Sequence, residues 1–79
     1  MKLKKNIALS DSGFIFDPGT GNSFTTNPIG LQMIQLLKQE KTPKEIEAEI
    51  RDEYQIDAIT FEKDYFDFIS VLAKLKLLE

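Results

Sequence analysis

The sequence predicts an α+β fold, a three-stranded antiparallel meander followed by three helices. Three observations carry that expectation: apolar residues alternate with a period of two through the first third of the chain, two turn-forming segments interrupt the alternation, and the period becomes helical from Asn27 onward. With 79 residues, 42% hydrophobic and 29% charged, the chain accommodates one domain, residues 1–79, and no second one. It has no Cys, His or Trp, so a small apolar core must hold the fold without disulfides or a structural zinc.

The first strand is expected over residues 2–9, where Leu3, Lys5, Ile7 and Leu9 share one face. Asp11-Ser12-Gly13 ends it, and a second strand over 13–17 sets Phe14 and Phe16 opposite Ile15. Asp17-Pro18-Gly19-Thr20-Gly21-Asn22 is rich in residues that preset φ for a turn or tolerate φ > 0, so it reads as a hairpin connection to a third strand over 22–26. That loop is not a phosphate cradle: it lacks the Lys-Ser/Thr ending and leads into a strand instead of a helix N-terminus.

The first helix, 28–39, begins with Asn27 as cap and Pro28 in the first turn, and it aligns Gly30, Met33, Ile34 and Leu37. Thr42-Pro43-Lys44-Glu45 has capping-box spacing and opens a second helix over 43–55, with Ile46, Ile50 and Tyr54 four residues apart. Asp57 caps the third, 58–77, whose core stripe is Phe61, Tyr65, Phe68, Ile69 and Leu72. Phe66 and Ala73 flank this stripe on one shoulder and Val71 and Leu75 on the other, an apolar arc wider than a one-sided surface helix needs.

Lacking His and Cys, the chain has neither the usual imidazole base nor a thiolate nucleophile, and we expect no catalytic residue, no metal site and no cofactor. The basic start, Met1 through Lys5, is followed by too short an apolar run for a signal peptide, and no span of about 20 apolar residues exists for a membrane helix; a cytoplasmic protein is expected. The net charge of −3 conceals an acidic middle, ten acids from Glu40 to Asp67 against Lys41, Lys44, Arg51 and Lys63. Such a field repels phosphate backbones and anionic lipid. Asp64 and Asp67, one helical turn apart, read as a solvated pair, not as an acid and base or a cation site.

Sheet edges are more informative. Strand one is protected by Lys2, Lys4 and Lys5, whereas Ser23-Phe24-Thr25-Thr26 carries neither charge nor Pro and leaves strand three open to an incoming extended peptide. Two other readings compete. Strands joined to helices in this order also suggest a winged-helix regulator of DNA, opposed by Glu45, Glu47, Glu49, Asp52 and Glu53 on helix two and by Glu62, Asp64 and Asp67 on helix three. A homodimer could instead pair the open edges and bury Phe66 or Leu75 across a two-fold axis.

After three strands come Asn27-Pro28-Ile29-Gly30, Ile34-Gln35-Leu36-Leu37, Thr42-Pro43-Lys44-Glu45-Ile46, Asp64-Tyr65, Phe68-Ile69, Leu72 and Leu77. This order and spacing resembles the coenzyme PQQ synthesis protein D family over nearly the whole chain. The resemblance implies a winged-helix-like module of the kind called a RiPP recognition element: a peptide chaperone that binds the leader segment of a ribosomally made precursor and presents it to a modifying enzyme such as a radical SAM enzyme, cyclase or leader peptidase. It further implies strand contacts from Ser23, Phe24, Thr25 and Thr26 and helix contacts from Phe61, Tyr65, Phe68, Ile69 and Leu72, leaving open which shoulder of helix three lines the groove. Where the family often has Gly before Leu77, this chain has Lys76.

Overall fold

Alternating apolar residues and three capped helical repeats assemble, in a computed structural model describing residues 2–79, into the expected α+β architecture. Met1, the first residue of the basic start, lies outside the described residues. The strands are β1 (Ala8–Leu9), β2 (Phe14–Asp17) and β3 (Asn22–Thr25); the helices are α1 (Pro28–Lys38), α2 (Pro43–Tyr54) and α3 (Ala58–Lys74). The sheet is antiparallel in the order β1-β2-β3, with Leu9 opposite Ile15 and Ile15 opposite Phe24, so β3 is an edge. The hairpin loop holds itself: Asp17 Oδ1 accepts the Gly19 N–H at 2.9 Å, and Gly21 adopts a positive φ of 80°.

Ile15 from the sheet, Met33, Ile34 and Leu37 from α1, Ile46 and Ile50 from α2, and Phe61 and Leu72 from α3 form one buried core, joined by Leu3, Ile7 and Leu77. All three N-caps form as expected: Asn27 Oδ1 accepts from Gly30 at 2.8 Å, Asp57 Oδ1 from Thr60 at 2.7 Å, and Thr42 and Glu45 exchange both bonds of a capping box.

Two boundaries depart from the sequence reading. An unbroken strand over 2–9 would turn Lys5 toward the core beside Leu3 and Ile7, burying an unpaired cation. The chain turns at Lys5–Asn6 instead: Lys5 is exposed, Leu3 and Ile7 are both buried, and the strand shrinks to two residues. The detached start pairs with the C-terminus, with Leu3 opposite Leu78, Lys4 N–H on the Leu77 carbonyl at 2.8 Å and Glu79 N–H on the Lys2 carbonyl at 2.7 Å.

The third helix likewise stops at Lys74, short of 77. Continued helically, Leu77 would point about 160° away from Phe61, out of the core. A Schellman turn reverses it: Lys76 takes φ 59°, its N–H bonds Ala73 O, and Leu77 N–H bonds Leu72 O, both at 3.0 Å. Leu77 is thereby buried.

Candidate functional site

Hydrogen-bond direction along β3 determines what its free edge offers. Thr26 N–H donates to Gly13 O at 2.9 Å, so the period of two directs Phe24 toward β2 and leaves the N–H and C=O groups of Ser23 and Thr25 facing outward. The strand carries no charge or Pro and has no strand beyond it. The opposite edge is blunted, since β1 has only two residues and Lys38 Nζ donates to the Ile7 carbonyl at 2.6 Å. Among the described residues, the outward backbone groups of Ser23 and Thr25 thus have no strand partner.

Where β3 runs into α1, a groove of about 320 Å³ lies between the start of α1 and the middle of α3, lined by Asn27, Ile29, Gly30, Met33, Asp64, Asp67, Phe68 and Val71. Gly30 makes room for the Phe68 ring: a Cβ there would stand 3.0 Å from Phe68 Cε1 and collide with Thr26 Oγ1. The Asn27 carboxamide oxygen is occupied by its capping bond.

A second groove, about 390 Å³ and more apolar, opens on the other shoulder of α3, between Pro43, Lys44 and Glu47 of α2 and Phe61, Glu62, Tyr65, Phe66 and Ile69. The Phe61 and Tyr65 rings stack there with centroids 5.4 Å apart and planes 21° from parallel. The Tyr65 hydroxyl is sheltered from water and has no hydrogen-bond partner, and burial raises its pKa above the ordinary value of 10.0.

The nine residues anticipated from sequence are thus divided. Ser23, Phe24, Thr25 and Thr26 lie along β3 and its exit, and Phe68 lines the groove beside it. Phe61, Tyr65 and Ile69 line the groove toward α2, while Leu72 is fully buried in the core and lines neither groove. Sequence reasoning did not bring Ile29, Met33, Asp64, Asp67 and Val71 together around Phe68, because the seat of the Phe68 ring against Gly30 has no signature of its own. The helical wheel did place Val71 on a shoulder.

The exposed apolar surface extends further. Ile59 and Phe66 on α3 are 81% and 71% exposed, Leu75 is also exposed, and Phe14 and Phe16 stand on the sheet face away from the helices. No group of three or more His, Cys, Asp or Glu among the described residues is placed to hold a metal ion, and no described helix is long and apolar enough to cross a membrane.

Residues 13–78 match the family model of coenzyme PQQ synthesis protein D. No curated protein sequence matches the chain. Among solved structures the chain is similar to TbiB1 in complex with the TbiA(beta) leader peptide, with 34% identity, a TM-score of 0.87, and coverage of 100% of this chain and 95% of that one.

Proposed function

The chain belongs to the coenzyme PQQ synthesis protein D family, and on that footing we propose that it is a non-catalytic peptide chaperone, which binds the leader segment of a ribosomally made precursor and delivers it to a modifying enzyme. The observation that carries this reading is the unprotected edge of β3, where Ser23 and Thr25 turn their free backbone groups outward beside an apolar groove. The likeness to TbiB1, whose structure holds a leader peptide, supports the same occupant. An extended leader adds as a fourth strand on β3 and sets alternate side chains against α3. Backbone bonds supply affinity, and the α3 groove supplies selectivity.

In this reading catalysis, whether by a radical SAM enzyme, a cyclase or a leader peptidase, belongs to the partner, and the chaperone works in the cytoplasm where precursors are made. A leader that must order on binding gives up several kcal/mol of its gross interaction energy, which sets the expected affinity near the micromolar range.

The test is an amide NMR titration with the TbiA(beta) leader peptide and with leader segments of precursors encoded beside this chain's gene. Saturable shifts confined to residues 23–26 and α3 are expected. The variant Thr25→Pro removes one outward N–H without breaking a β2 bond, so it should fold normally and bind about tenfold more weakly. Undiminished affinity in the folded variant would refute strand addition at Thr25, and no localised shift with any leader would refute leader binding.

A further inference from the structure

The groove beside β3 joins an apolar floor to an acidic rim. Met33 is buried, Ile29 and Phe68 are half-buried, Val71 is exposed, and Asp64 and Asp67 stand exposed one turn apart on α3 at the same opening. Neither aspartate is paired: the ion pairs among the described residues are Lys2 with Glu40 and Arg51 with Glu47. Two unpaired carboxylates over an apolar floor complement a long aliphatic side chain with a cationic end, whose stem lies on Phe68 and Val71 while its head reaches the acids. The chain's net charge of −3 likewise favours approach of a cationic ligand.

We propose that Asp64 and Asp67 are specificity-determining residues that select a leader segment carrying Lys or Arg next to the apolar side chain seated between α1 and α3. This inference rests on the peptide-binding reading above and adds the chemistry of the peptide to it. Both carboxylates are solvated, so their contribution is moderate, screened by salt, and expressed as selection among leaders more than as raw affinity.

The test is selection from a displayed library of random twelve-residue peptides, run in parallel on the unaltered protein and on the Asp64→Asn/Asp67→Asn double variant, whose substitutions are isosteric and exposed. Peptides enriched on the unaltered protein should combine apolar residues with Lys or Arg, and those enriched on the double variant should keep the apolar residues and lose the basic preference. A selected cationic peptide should bind the double variant about fivefold more weakly, and the difference should vanish near 1 M salt, where screening reaches about 3 Å. Apolar enrichment without basic preference, or a preference the double variant retains, would overturn this inference and leave leader binding intact. Enrichment of nothing, or only of peptides indifferent to Thr25→Pro, would overturn both.

Discussion

Lys76 occupies a backbone conformation that local preference resists: φ 59° costs an L-residue about 1 kcal/mol or more, and the Schellman turn that returns Leu77 to the core requires it. Lys76→Gly should therefore stabilise the domain by about 1 kcal/mol and raise Tm by about 4–8 °C with peptide affinity unchanged, as thermal unfolding and titration will show. Gly30 presents the opposite case. In an open helix Gly30→Ala would stabilise by about 1 kcal/mol, but here the methyl group meets Phe68 and Thr26. A net loss of about 1–3 kcal/mol in denaturant unfolding is expected, together with distortion of the groove beside Phe68. Lys76 was legible as a departure from the family's common Gly; nothing along the chain marked Gly30 as the seat of the Phe68 ring.

The helix caps were the most legible elements, because each depends on residues within four positions of one another. They also couple stability to pH. Glu45, accepting the Thr42 N–H, and Asp57, accepting the Thr60 N–H, have pKa values held below the ordinary carboxylate range by those bonds. A depressed folded pKa gives stability that is present above the unfolded pKa, near 4, and is lost as pH falls through the lower folded value. Stability should hold through neutral pH and fall below about pH 4.5. The Glu45→Gln/Asp57→Asn double variant keeps both caps without titrating, so its acid limb, followed by circular dichroism, should be shallower. The elements read less well were β1 and the end of α3, where simple periodicity ran past Lys5 and Lys76 and the structure did not.

At the scale of the molecule, the architecture is that of a winged-helix relative, and its charge argues against the DNA-binding role such folds often take. Glu45, Glu49, Asp52 and Glu53 are exposed on α2 and Glu62, Asp64 and Asp67 on α3, an acidic surface where a duplex reader needs cations. A gel shift at low salt, where electrostatic binding is strongest, should show no retardation of duplex DNA; a complex that weakens steeply with added salt would reverse this reading. Phe66 and Leu75, the residues a dimer would bury, are exposed.

Spacing, turn chemistry and charge within a few neighbouring residues specify the class and order of the elements, the three caps, most of the core and the unprotected character of strand three. Which shoulder of α3 adjoins which groove follows from the packing of distant segments. Phe68 meets α1 because Gly30 leaves room for its ring, and Phe61, Tyr65 and Ile69 turn toward α2, so one apolar arc on one helix becomes two different surfaces. Periodicity specifies that a face is buried, but the partner covering each part of it depends on contacts between residues more than 30 positions apart, such as Gly30 and Phe68, which no local pattern records.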